Sequence, residues 1–185
     1  KDNVLVINHD ATIRGINIEK SEYAAIKDIT LTNGEKMVTF DAFLEEYLKD
    51  MGIKLMIHVK DHSNQQRTIE CVDAIISKLR ANNILNKAEW LMTNYAASMH
   101  VIQECKDEVH DLIVDYSNDN VVRTFDQLAA DGMILNYNYK TVDNDLTCVK
   151  RAHDAGIQMV VWTIDTEDLM LKYMALGVDY LNTDR

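Results

Sequence analysis

A chain of 185 residues, 47% of them hydrophobic and 26% charged, is long and apolar enough to bury a core and is composed like an ordinary globular protein. Its net charge of −11 argues against a nucleic-acid backbone or an anionic membrane surface as the main partner, while leaving room for a small anion in a local pocket. No apolar run approaches the ~20 residues of a membrane span, and the opening residues carry no signal-peptide pattern.

The first apolar run, VLVIN at 4–8, leads straight into His9-Asp10. A helical period follows at Phe40, Phe43, Leu44, Tyr47 and Leu48, with Thr39 placed to cap it. A strand-type run, IKLMIHV, occupies 53–59, and a second helical stripe runs through Ile69, Val72, Ile75, Ile76 and Leu79. Further strand-type runs lie at 88–94, 111–115 and 133–137. A third stripe, Leu146, Val149 and Ala152, is stopped by Gly156. The run IQMVVWT at 157–163 leads to a fourth stripe, Leu169, Met170, Tyr173 and Met174, closed by Gly177, and a last strand-type run covers 178–182.

Alternation of this kind predicts an α/β domain with a mainly parallel sheet, and near-continuous apolar strands fit a sheet covered on both faces. With no linker or low-complexity stretch, residues 1–185 read as one domain. The six glycines make neither a dinucleotide nor a P-loop fingerprint. Seven strand-type segments suit an open doubly wound sheet or a barrel lacking part of its wall. Proline is absent where average usage would give about nine, so turns must be read from Gly, Asn and Asp. Cys71, Cys105 and Cys148 lie far apart without metal-type spacing and read as buried free thiols.

In parallel α/β folds the chemistry sits at the carboxyl ends of the strands. His9-Asp10 closes the first run. In IKLMIHVK the period of two sends Ile53, Leu55, Ile57 and Val59 one way and Lys54, Met56, His58 and Lys60 the other, so His58 and Lys60 share a face at a strand end. Trp162-Thr163 closes the sixth run and Asn182-Thr183-Asp184 the last. Each feature also has a structural reading: a turn with a local hydrogen bond for His9-Asp10, a satisfied half-buried histidine for His58, a solvated strand-end charge for Lys60, a core aromatic for Trp162. Their placement on one rim favours a site. His62, His100, His110 and His153 fall in loops or on helices and receive no role.

The stretches INHDATI, NGEKMVTFDAFLEEYL, KLMIHVK and AHDAGIQMVVWTIDTEDLMLKYMALGVDYLNTDR resemble the glycerophosphodiester phosphodiesterases, (β/α)8 TIM-barrel hydrolases that split glycerophosphodiesters into glycerol 3-phosphate and an alcohol. The resemblance covers nearly the whole chain. It implies that His9 is one of two acid–base histidines, that Lys60 contacts the phosphate, and that Trp162 lines the glycerol side of the pocket. Asp10 then orients the loop that carries His9. The resemblance further implies a divalent metal, Mg or Ca, held by three carboxylates. One ligand position is His58 here instead of glutamate. The strands bearing the His-Arg-Gly and Glu-x-Asp motifs have no counterpart in this sequence, so the expected fold is a TIM-like barrel without its N-terminal part.

Phosphodiester hydrolysis needs the phosphate charge balanced, water deprotonated and the leaving alkoxide protonated. Three readings follow: a metal-assisted phosphodiesterase, a non-catalytic barrel that binds a phosphate-containing or other small ligand, and an unrelated open sheet that binds a metabolite. The expected partner is a small-molecule glycerophosphodiester, with no nucleic acid and no membrane span. A barrel with an open edge is also expected to self-associate. Sequences of this style lean towards the bacterial cell envelope.

Overall fold

The computed structural model describes residues 1–117 and 123–185. The chain opens with a short strand, β1 (Val6–Ile7), and then a hairpin of β2 (Thr12–Ile13) and β3 (Ile16–Asn17). Arg14 and Gly15 turn this hairpin with φ of 49° and 80°. Two successive positive φ values are what a two-residue hairpin turn of the right twist requires, and a glycine at the second position meets that requirement without strain. Helix α1 (Tyr23–Ile26) and strand β4 (Val38–Thr39) follow.

The run at 4–8 does not join the main sheet, as a seventh strand of it would. Its two strand residues pair antiparallel with β4, Val6 opposite Thr39 and Ile7 opposite Val38. The chain loops out after Asn8 and returns beside β1 immediately before the next helix, so β4 takes up the hydrogen bonds of β1; the Phe40 N–H donates to the Leu5 carbonyl at 2.9 Å.

Helix α2 (Phe40–Tyr47) starts where the sequence places it, with Thr39 Oγ1 accepting from the Ala42 N–H at 3.1 Å. Loss of that cap in Thr39→Ala is expected to cost about 1 kcal/mol in urea unfolding, and Thr39→Ser to cost little. An unchanged midpoint in Thr39→Ala would show that the cap contributes nothing.

From here the chain alternates regularly: β5 (Leu55–Val59), α3 (Gln65–Ala81), β6 (Ala88–Met92), α4 (Tyr95–Cys105), β7 (Val114–Tyr116), α5 (Phe125–Asp131), β8 (Ile134–Asn138), α6 (Tyr139–Asn144), α7 (Thr147–Asp154), β9 (Met159–Trp162), α8 (Glu167–Ala175) and β10 (Tyr180–Leu181). Strands β5 to β10 form one parallel six-stranded sheet in sequence order. Sequential order with a helix after each strand is barrel topology, and the sheet is a half-barrel.

The two faces of the sheet differ as the period of two demands. Leu55 and Val59 are buried with Val72, Ile76 and Leu79 of α3, Phe40 and Leu44 of α2, and Trp90 and Met92 of β6. Leu135, Met159 and Val161 pack with Leu128, Val149, Ala152 and Tyr173 from α5, α7 and α8. The opposite, concave face carries Met56, which is 45% exposed, and His58.

The third stripe is displaced by one position. Helix α7 begins at Thr147, so Cys148 joins Val149 and Ala152 in the core while Leu146, 47% exposed, stands outside it. Met174 is likewise exposed, because α8 buries only the side that carries Tyr173. Cys105 and Cys148 are buried and Cys71 is half-buried, all as free thiols. No helix among the described residues is long and apolar enough to cross a membrane.

Candidate active site

The site is built where β5 ends. Along this strand Leu55 and Val59 anchor into the helical layer, which forces His58, and Lys60 just beyond, to the concave side. Both residues line a cavity of about 670 Å³, together with Asp61 and His62 that follow and with Asn8, Asp10 and Asn17–Glu19 from the N-terminal segment.

The loop after Lys60 is fastened at several points. The His62 N–H donates to Thr68 Oγ1 at 3.0 Å, and His62 Nδ1 lies 3.0 Å from the Lys60 carbonyl oxygen. Asn64 then caps α3 by accepting from the Arg67 N–H at 2.9 Å. Thr93, after β6, donates through Oγ1 to Asp61 Oδ2 at 3.0 Å. A lysine on such a loop is presented in a defined place, because its backbone has little freedom left.

The charges interact. Solvent reaches the His58 ring, but the cavity wall takes up enough of its surroundings that desolvation, followed by the positive charges of Lys60 and His9, pushes its pKa down to about 4. The imidazole at position 58 is therefore neutral at physiological pH. Desolvation also lowers the pKa of Lys60, opposed by the carboxylate of Asp10. A desolvated cation at a cavity rim is poised to gain from an arriving anion.

The structure treats the four expected residues differently. His58 and Lys60 face one cavity, with Asp10 beside Lys60. His9 is close enough to act electrostatically on His58, yet its ring lies in solvent at 85% exposure, with Nδ1 2.8 Å from Asp10 Oδ1. Trp162 is on the same concave face, in register with Asn138 at the carboxyl end of β9, and lies outside the residues that line this cavity. Asp61, His62 and Glu19 line it without having been singled out in the sequence. His62 was legible as adjacent to Lys60; Glu19 had no signal, because its partner lies 44 residues away.

A divalent ion does not fit the donors present. Among the described residues no three His, Cys, Asp or Glu side chains stand together as a metal-binding group. His58 offers one neutral nitrogen, which is poor for Mg²⁺ or Ca²⁺. The glutamate-to-histidine difference anticipated from the sequence thus leaves the metal expectation without a ligand set on these residues.

The model of the glycerophosphoryl diester phosphodiesterase family matches residues 1–185. YhdW of Bacillus subtilis (strain 168), a relative assigned to the glycerophosphodiester phosphodiesterases, is 23% identical over 202 residues, covering 100% of this chain and 78% of the relative. The crystal structure of a glycerophosphodiester phosphodiesterase from Parabacteroides distasonis ATCC 8503 superposes with a TM-score of 0.89 at 29% identity, over 99% of this chain and 75% of that one. An Oleispira antarctica phosphodiesterase, solved with its product sn-glycerol-3-phosphate, shares the fold with a TM-score of 0.82 at 19% identity, over 99% of this chain and 76% of that one.

Proposed function

The chain belongs to the glycerophosphoryl diester phosphodiesterase family, and from that premise we propose that it hydrolyses glycerophosphodiesters to glycerol 3-phosphate and an alcohol, with the phosphate bound at the β5 rim. The observation that carries the reading is the family match over the whole chain, beside which Lys60 faces a cavity large enough for a small diester.

In this reading Lys60 neutralises the phosphate and the charge that grows on it as water adds to phosphorus. Asp10 accepts from His9 Nδ1–H, which leaves Nε2 with its lone pair as the proton-transfer atom. His9 then takes a proton from the attacking water as the new P–O bond forms or gives one to the alkoxide released as the old P–O bond breaks, and bulk water exchanges the proton of the other transfer. Trp162, on the same concave face at the end of β9 and beyond this cavity, supplies an apolar wall only to the part of the diester that reaches across the sheet. His58, neutral beside Lys60, adds no charge to compete with that of the phosphate. The Oleispira antarctica protein's product complex supports a substrate of this size.

The test is direct. The protein is incubated with the choline, ethanolamine and glycerol diesters of glycerol 3-phosphate, and free glycerol 3-phosphate is measured over time. Turnover of at least one diester is the expected result. Binding of glycerol 3-phosphate without release from any diester would replace the hydrolase reading with that of a ligand-binding barrel.

A further inference from the structure

The N-terminal segment has a small apolar core of its own. Ile13, Ile26 and Met37 are buried together, with Val6, Ile18 and Tyr23 packed around them. The segment joins the barrel at its root through β1, where Leu5 packs on the main core. It meets the barrel again beside the same cavity. There Glu19 Oε2 accepts from the Ser63 N–H at 3.0 Å, and Glu19 Oε1 accepts from the Ser63 hydroxyl at 2.6 Å. We propose that Glu19 is a positioning residue, latching the N-terminal segment onto the β5–α3 loop so that the His9-Asp10 turn is held against Lys60. The proposal rests on the hydrolase reading above.

Three observations support it. First, the two halves of the site sit on different bodies: His9 and Asp10 follow β1, while Lys60 follows β5, and β1 and β5 are not paired in one sheet. Their relative placement is therefore set by the packing of Leu5 at the root and by contacts across the cavity, not by a shared ladder. Second, the Glu19 contact falls on Ser63, three residues beyond Lys60, in a loop otherwise tied down by Thr68 and the Asn64 cap. Asn17, Ile18 and Glu19 line the same cavity as Lys60, so the latch closes one side of it. Third, the latch is a charged one. The Ser63 hydroxyl, then its N–H, hold the Glu19 carboxyl below its usual range, with His62 and Arg67 adding to the effect. A carboxylate that accepts two hydrogen bonds is a strong, directional partner. A second tie, Arg67 Nη2 donating to Asn3 Oδ1 at 2.8 Å, runs between the same two bodies.

Misplacing a reacting group by about 1 Å can cost about 100-fold in rate. Glu19→Ala is accordingly expected to lower kcat/KM about tenfold or more, mostly in kcat, and Glu19→Gln, which keeps an oxygen for one Ser63 donor, to recover a large part of the loss. Since Glu19 is not in an apolar core, Tm should stay within roughly 3 °C of the parent. Hydrogen exchange at the Ser63 amide and in the His9-Asp10 turn should quicken in Glu19→Ala and much less in Glu19→Gln. Unchanged kcat/KM in Glu19→Ala would overturn the proposal, as would a Gln variant as impaired as the Ala variant with Ser63 protection intact. If the parent releases no glycerol 3-phosphate, the hydrolase reading fails separately and exchange decides the latch: faster exchange at both places in Glu19→Ala upholds it, and unchanged protection overturns it.

Discussion

Lys60→Ala is expected to lower kcat/KM for glycerophosphodiester hydrolysis by about two to three orders of magnitude, the usual consequence of removing a preorganised charge from a phosphoryl site. Lys60 stands half-buried at the end of β5, its ammonium desolvated by the cavity wall and supported by Asp10. Much of the cost of desolvating it is already met when the protein folds, and the substrate phosphate supplies the missing partner. The charge acts on the bound substrate and more strongly on the transition state, where charge has grown on the phosphate, so the loss should appear in both KM and kcat, and the affinity for glycerol 3-phosphate should fall with it. His9→Asn should differ: a proton-transfer group contributes about 10²–10⁴-fold in kcat with little change in KM. Steady-state kinetics and calorimetry with glycerol 3-phosphate separate the two signatures. A Lys60→Ala enzyme within threefold of the parent would remove Lys60 from the site.

The second large effect lies beneath the rim. Asp115 on β7 and Asn136 on β8 point into the concave side of the sheet and are 1% and 0% exposed. Asn136 Nδ2 donates to Asp115 Oδ2 at 3.1 Å. Asp115 Oδ1 and Asn136 Oδ1 have no hydrogen-bond partner among the described residues. Two buried acceptors without a donor are costly, and a proton on Asp115 supplies the donor. Burial raises the carboxyl from 3.8 to about 7, opposed by the Asn136 bond and aided by the negative charge of Glu89 on β6. Glu89 itself is paired with Lys54 at 3.0 Å.

The consequence for stability has a definite sign. Between these two values the folded chain keeps a proton that the unfolded chain has lost. The contribution of Asp115 is therefore fully present below pH 3.8 and declines as pH rises to about 7. A proton retained over that interval corresponds to ~4 kcal/mol as an order of magnitude. Asp115→Asn never ionises and provides an N–H to the same acceptors. Its stability should match the parent below about pH 4, exceed it by about 2–4 kcal/mol at pH 8, and diverge between the two. Urea unfolding of both proteins across that range measures the difference directly. A constant gap would show that Asp115 does not titrate in the fold.

The alternation in IKLMIHVK settled which side chains of β5 face the helices and which face the site, because a strand buried on one side by large apolar residues has no other way to lie. Thr39 at the start of α2 and the long stripe of α3 were legible for the same reason: each signal is local, and the packing agrees with it. The family resemblance, carried by contiguous motifs, was legible too. The shorter elements were not. Helix α5 is seven residues long and buries only Leu128, too little for a period to show, and β1 to β4 have two residues each. The run at 111–115 put Asp115 at a strand end, whereas the strand is Val114–Tyr116 and Asp115 is its buried middle residue, facing Asn136. That pair is 21 residues apart, and Glu19 and Ser63 are 44 apart. Such contacts arise only when separate bodies close on one another, and no periodicity along the chain records them. Trp162 could be assigned to a strand end from its sequence, but its distance around the half-barrel from β5 depends on strand order, which only the folded sheet establishes. The sequence by itself therefore determined the strand–helix grammar, the inward face of β5 and the family. The tertiary structure decided which charges meet across the cavity, because desolvation and long-range hydrogen bonds exist only after the apolar faces have packed.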